Sequence, residues 1–243
     1  MSVSSSRLAA VEQLRGQLRG VRPAAVSASC TPTGLAALDA LLPGGGIPSA
    51  SVIEWISEQP GQSAGSLALR AAARLLGRPG CLAVIDEQRD FFPGVVETHG
   101  ISLQRLLLVR IPPESPPLTI TGRVRSATGS LTAGGQALWA LEQTCRSRGV
   151  RVVLAWLHRC TSAIVRRLQL AVESSGVVLM LLRPAQALQQ PSFADLRLLV
   201  KPLPSTRRIQ VSLLRARQSL QSAGTTELVQ DFADRFCDPE PQR

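Results

Sequence analysis

The sequence predicts an α/β protein: a doubly wound, mostly parallel sheet with an antiparallel edge hairpin, preceded by an N-terminal helix and followed by a C-terminal tail. Three observations predict it. From Thr31 onward, apolar runs of strand length alternate with helix-patterned segments, an order that requires crossovers and a parallel sheet. One run, VVLMLL at 177–182, is continuously apolar, as in a strand covered on both faces. Two later runs alternate apolar and polar residues instead, the pattern of an antiparallel pair. At 243 residues the chain suits one such core with appendages. Three parts are expected: an N-terminal helix and linker over 1–30, a core over 31–217 and a tail over 218–243.

The elements follow in order. Residues 4–21 read as a helix, because Leu8, Val11, Leu14, Leu18 and Val21 recur three or four apart while Arg7, Arg15 and Arg19 fall on other faces. Pro23 and the small residues up to Ala28 make a linker. Strands are expected at Ser51–Ile56, Cys81–Asp86, Leu106–Ile111, Val150–Leu157 and Gly176–Leu182, with helices near 65–77, 93–99, 134–148 and 161–175. Leu196–Lys201 and Arg208–Leu214 form the hairpin, with Ile209, Val211 and Leu213 on one face and Arg208, Gln210 and Ser212 on the other. Pro112–Gly135, rich in Pro, Ser, Thr and Gly, reads as a loop. In the tail, Leu228, Phe232 and Phe236 stand four apart among Glu227, Asp231 and Asp234, which reads as a short acidic amphipathic helix suited to a protein partner.

Composition narrows the function. Apolar residues make up 44% of the chain, enough for a core and too many for wholesale disorder. Aromatics are only 3%, with no tyrosine, which argues against a surface built mainly for base stacking. The net charge is +10, and Lys201 is the single lysine among 27 basic residues. Such a balance points to an anionic partner, nucleic acid or an acidic protein. The five cysteines are scattered without C-x-x-C, so neither a disulfide framework nor a zinc site is expected. No stretch approaches the roughly 20 apolar residues that span a bilayer. A cytoplasmic protein without membrane contact is the expectation.

In a doubly wound sheet, ligands sit beyond the carboxyl ends of the strands. There the first strand leads into Ser57-Glu58-Gln59-Pro60-Gly61-Gln62-Ser63-Ala64-Gly65-Ser66-Leu67 and a helix, the layout of a phosphate-binding loop. A working loop ends in Gly-Lys-Ser/Thr, its lysine neutralising the outer phosphates and its hydroxyl holding Mg²⁺. Here Gly65 is followed by Ser66 and Leu67, and Glu58 adds a negative charge. The later strand Val152–Ala155, which should end in a second carboxylate, ends in Trp156. Charge and metal ligands are both missing, so the expectation is a vestigial nucleotide site, no catalysis, no cofactor and no metal. Asp86, Glu87, His158 and Cys160 also lie at strand ends. No third residue orients the His158/Cys160 pair, and a loop histidine with a small apolar cysteine accounts for it.

Thr31-Pro32-Thr33-Gly34-Leu35-Ala36-Ala37-Leu38-Asp39, then Gly44-Gly45-Gly46-Ile47-Pro48 and Ser51-Val52-Ile53-Glu54, is similar to the approach to the RecA ATPase core. Later segments resemble one branch of that superfamily, the ImuA family of bacterial translesion-synthesis cassettes. They are Ala137–Gln143, Val153–Trp156, Arg166–Ala171, Leu182–Pro184, Gln190–Ser192, Ala194–Leu198 and Leu213–Arg217. The likeness covers about residues 31–217. It implies a RecA-like fold and a role in the SOS response beside RecA, an ImuB-type polymerase-like protein and an error-prone DNA polymerase. It also places Gln88, or Glu87 with a one-residue shift, where RecA carries its water-activating glutamate. The long DNA-gripping loops of RecA shrink here to His158–Ser162 and Arg183–Asp195, the second holding Gln186, Gln189, Gln190 and Phe193. Contacts to single-stranded DNA or an acidic partner are expected from Arg166, Arg167, Arg183, Phe193, Arg207, Arg208, Arg215 and Arg217. Contacts to protein partners are expected from the helix of Leu8, Val11, Leu14 and Leu18 and from the tail.

Two other readings compete with a non-catalytic adaptor. One is a DNA-dependent ATPase with a divergent loop, for which the nearest cations are Arg70 and Arg74. The other is a SulA-like inhibitor of cell division.

Overall fold

The computed structural model describes residues 29–58, 63–111, 133–157, 160–203, 207–217, 224–230 and 236–237. A short antiparallel pair comes first, β1 (Cys30–Thr31) with β2 (Ile47–Pro48), and α1 (Ala36–Leu41) lies between them. The Thr31–Asp39 stretch is held by one carboxylate. Asp39 Oδ1 accepts from the Thr33 amide and hydroxyl, both at 2.7 Å, and its Oδ2 accepts from the Gly34 amide at 3.2 Å. Gly46 is required, because a Cβ there would collide with the Thr31 carbonyl.

Among the described residues the core is a nine-stranded sheet. Its strands are β3 (Val52–Ser57), β4 (Cys81–Asp86), β5 (Leu106–Arg110), β6 (Val150–Trp156), β7 (Val178–Pro184), β8 (Leu196–Leu203), β9 (Arg208–Ala216), β10 (Gly224–Gln230) and β11 (Phe236–Cys237). The order is β11-β10-β9-β8-β3-β7-β6-β4-β5, with β8 to β5 parallel and β8 to β11 antiparallel. The doubly wound α/β reading therefore holds. Alternation along each strand feeds two cores. Ile53, Trp55, Val84 and Met180 pack with α2 (Ala64–Leu75) on one face. Val52, Ala83, Ile85, Leu179 and Leu181 pack with α4 (Ala133–Arg146) and α5 (Ser162–Ser175) on the other. The remaining helix, α3 (Val95–Thr98), is a single turn. α5 ends at Gly176, whose φ of 80° supplies the left-handed cap.

The chain crosses from β7 over β3 to β8 in a short segment that holds only a 3-10 turn, Ala185–Gln189. That segment takes the place of a helix over the second face of β3. The C-terminal end of α2 is closed by Arg105. Its guanidinium donates to the carbonyls of Leu76 (2.7 Å), Arg78 (2.7 Å) and Gly80 (2.6 and 2.9 Å). Arg105→Ala leaves three carbonyls without this donor and is expected to lower stability by about 2 kcal/mol, the scale of charge-assisted hydrogen bonds. Urea unfolding measures it.

The antiparallel hairpin β8–β9 flanks the parallel strands as expected, and β10 and β11 extend this antiparallel edge by two further strands. One expectation is corrected. The tail around Leu228 is strand, not acidic helix. Residues 224–229 pair antiparallel with 208–213, and Leu228 sits opposite Ile209, fully buried in the first core. The reason lies in β9, whose outer backbone needs a partner; α1 also packs against β10. A buried Leu228 is not a partner contact, and the sheet does not stop at 217. Phe236 lies in β11, while Phe232 is outside the described residues. So are the N-terminal segment with Leu8, Val11, Leu14 and Leu18, and the loop at 112–132. Among the described residues no helix is long and apolar enough to cross a membrane.

Candidate functional site: an apolar cavity and a buried ion cluster

The carboxyl ends of β3, β4, β6 and β7 frame a cavity of about 400 Å³. Ser57, Ser63, Ala64, Gly65 and Ser66 line one side, Gln88 and Asp90 another, and Phe91, Phe92, Val95, Trp156 and Leu182 supply an apolar wall. Four residues expected at the vestigial site thus meet: Gly65, Ser66, Gln88 and Trp156. Gly61 lies outside the described residues. Leu67 is not in the cavity. It is buried in the first core beneath α2, so the position expected to carry a metal-binding hydroxyl is apolar and faces the core. Trp156 packs against Phe91, their ring centroids 5.8 Å apart. Glu87 lines a smaller recess beside the cavity with Asp86, Gln88, Asp90 and Trp156.

The N-terminus of α2 opens into the cavity, a favourable setting for an anion by itself. Among the described residues, however, no basic side chain reaches the wall. Arg70 and Arg74 do not border it. Arg183 contributes to the wall, but alternation along β7 turns its side chain to the opposite face of the sheet. Among the described residues the one carboxylate on the wall is Asp90.

Asp86 is committed elsewhere. It is buried, its Oδ1 accepts from the amides of Asp90 (3.2 Å) and Phe91 (3.4 Å), and its Oδ2 takes Arg110 Nε at 3.1 Å. Arg110 also donates to the Phe91 carbonyl at 3.2 Å. This pair shapes the turn that presents Phe91 and Phe92; it is not a free acid or base. Cys160 is buried, and burial pushes its thiol up to about 11, against a smaller lowering by Arg183. A thiol held that far from ionisation is a poor nucleophile at neutral pH. His158 lies outside the described residues. Among the described residues no group of three His, Cys, Asp or Glu side chains is placed to hold a metal ion.

A second cluster lies on the other face of the sheet. Glu54, in the middle of β3 and fully buried, accepts from Arg183 Nη1 (2.9 Å), Arg197 Nε (2.8 Å) and the Ser192 hydroxyl (2.9 Å). Arg183 Nη2 reaches Gln190 Oε1 at 2.6 Å, and Arg197 Nη2 reaches the Ala187 carbonyl at 2.6 Å. Asp195 adds an anchor at the far end of the crossover. Its Oδ2 accepts from the Val52 amide at 2.9 Å and its Oδ1 from Gln169 Nε2 at 3.4 Å. Burial raises the Asp195 carboxyl above the usual range, opposed by the Val52 amide.

These contacts change the expected arginine surface. Arg183 is buried and bound to Glu54 and Gln190, so it does not touch DNA or a partner, and Gln190 is spent in the same way. Arg167 pairs with Glu142, Arg208 with Glu227, and Arg217 with Glu173 and Asp195. Arg207 stands exposed at the turn into β9 with φ 50°. Arg166 lies over the half-exposed Phe193 ring, 6.0 Å from its centroid, and Arg215 donates to the Ser192 carbonyl at 2.7 Å. Sequence reasoning missed Glu54, Asp195, Phe91 and Phe92. Glu54 left a trace, since a carboxylate within Val52-Ile53-Glu54-Trp55-Ile56 must be paired if that strand is central.

No protein-family model and no curated protein sequence matches the chain. Among solved structures it resembles a crystal structure of the RadB recombinase with a TM-score of 0.61 at 16% identity, over 86% of this chain and 100% of that one. The fold is RecA-like.

Proposed function

We propose that the chain is a non-catalytic RecA-fold accessory protein of damage-induced translesion synthesis, a member of the ImuA family acting in the cytoplasm. Its role is that of an adaptor or regulator for an ImuB-type polymerase-like protein, an error-prone DNA polymerase and RecA, with single-stranded DNA as a further candidate partner. One observation carries the non-catalytic part of this reading. Among the described residues the cavity at the strand ends has no basic side chain on its wall, Asp90 and Trp156 border it, and Leu67 faces the core. Phosphoryl transfer depends on cations set around the phosphates. The family assignment is supported by the ordered segments between Thr31 and Arg217 and is consistent with the fold.

Calorimetric titration of the full chain with ATP and Mg²⁺ tests the first part. No heat of binding is expected at millimolar nucleotide. Saturable binding would overturn the reading and put a DNA-dependent ATPase in its place. Co-purification with the ImuB-type protein and RecA tests the second part. Failure to bind either, combined with a block to division on overexpression, would favour the SulA-like reading.

A further inference from the structure

Three large apolar side chains stand exposed on the layer that covers the second core. They are Trp139 on α4 (56% exposed), Leu170 on α5 (50%) and Phe193 on the crossover (42%). Helical spacing and two side-chain contacts set them along one strip. Glu142 of α4 and Arg167 of α5 form an ion pair across the two helices. Trp139 is one turn before Glu142 and Leu170 one turn after Arg167, so each lies beside that pair on its own helix. Leu170 is also one turn beyond Arg166, whose guanidinium covers the Phe193 ring. Exposed apolar side chains of this size lose free energy in water, and Trp, Phe and Arg together are the residues that anchor interfaces.

The charge around the strip is uneven. Arg146, Arg167, Arg183, Arg197, Arg208 and Arg217 all face carboxylates. Arg166 and Arg215 instead donate to neutral oxygens, Gln169 Oε1 at 2.7 Å and the Ser192 carbonyl at 2.7 Å. Among the described residues neither makes an ion pair. Two uncompensated guanidinium groups therefore flank Phe193, on a segment already fixed by Glu54, Ser192 and Asp195. A pre-ordered anchor loses little freedom on binding.

We infer that the strip Trp139–Leu170–Phe193, bordered by Arg166 and Arg215, is the docking surface for an acidic segment of a partner protein that carries apolar side chains. Charge and chemistry select this occupant. A second copy of this chain brings a net charge of +10 and is repelled. Nucleic acid needs a track of cations and a series of rings for its bases. Here Glu142 interrupts the track and Leu170 offers no ring. An acidic segment satisfies both guanidinium groups and covers all three apolar side chains. The inference deepens the adaptor reading and rests on it for the existence of a protein partner. Its test uses no ATP and no translesion protein, so the two can fail separately.

The experiment is fluorescence anisotropy on the full chain with three labelled probes. The first is an amphipathic peptide with Leu and Phe at i, i+3, i+4 and i+7 and Asp or Glu elsewhere. The second is its Asn/Gln counterpart, and the third an oligothymidylate of about 20 nucleotides. Saturable binding of the acidic peptide is expected, weakened at least ~10-fold in the neutral counterpart and in Arg166→Gln and Phe193→Ser. Trp139→Gln, on an exposed helix face, should weaken it as well and leave the melting temperature unchanged, which keeps the test readable if Phe193→Ser disturbs the crossover. Three outcomes overturn the inference. They are no saturation with acidic peptide by about 100 µM, oligothymidylate binding that these substitutions abolish, or self-association that they dissolve.

Discussion

Glu54→Ala is expected to cost about 3–5 kcal/mol, the scale on which removal of one partner from a buried ion cluster destabilises a protein. The substitution leaves the buried guanidinium of Arg183 and the partly buried one of Arg197 without their shared carboxylate, and it strips the Ser192 hydroxyl of its acceptor. The crossover then loses its hold on β3 as well. Glu54→Gln keeps the shape but turns an amide N–H₂ toward one of two donors, so most of the loss should persist. A third variant separates charge from packing. Glu54→Leu combined with Arg183→Met and Arg197→Met removes every charge of the cluster and should recover most of the stability, because apolar replacement of a buried ion cluster is often neutral or stabilising. Chemical unfolding of the three variants reads the result. A Glu54→Ala cost under about 1 kcal/mol would mean that the cluster is open to water.

Leu228→Ala should cost about 3 kcal/mol, within the range for truncating a buried leucine, and Leu228→Asp should prevent folding by burying an unpaired charge. Both effects follow from its place opposite Ile209 in the first core. Thr225→Ala, on an exposed position of the same strand, serves as the control; the loss of its contact with Ser212 at 3.0 Å should cost about 0.5 kcal/mol, the low end for a single hydrogen bond. A solvent-facing helix in this region would give the opposite pattern, a tolerant Leu228. Thermal melts of the three variants decide between strand and helix. The strand has a functional consequence too: β10 closes the outer side of β9, so the tail up to Gln230 is part of the sheet rather than a detachable arm.

The elements with local signals are legible in the order of residues alone. The continuous run at 177–182, the alternation of Ile209, Val211 and Leu213, and the helical patterns near 65–77 and 161–175 each specify an element, because side-chain period distinguishes strand from helix within a few residues. Ser66, Leu67 and Trp156 could likewise be read against the chemistry of a phosphate loop, and the cavity at the strand ends is where that reading placed it. The rest depends on contacts between distant segments. Spacing by four satisfies both periods: residues 228, 232 and 236 share one face of a helix and also one face of a strand, so the unpaired edge of β9 made the choice. Arg183 and Glu54 are 129 residues apart and Arg197 and Glu54 143 apart. No local pattern joins them. Whether an arginine at a strand end reaches solvent or a buried carboxylate depends on which face of the sheet it takes and what covers that face. Here a crossover without a helix covers β3, and it turns one expected surface cation into the centre of the core while leaving Phe193, Arg166 and Arg215 outside.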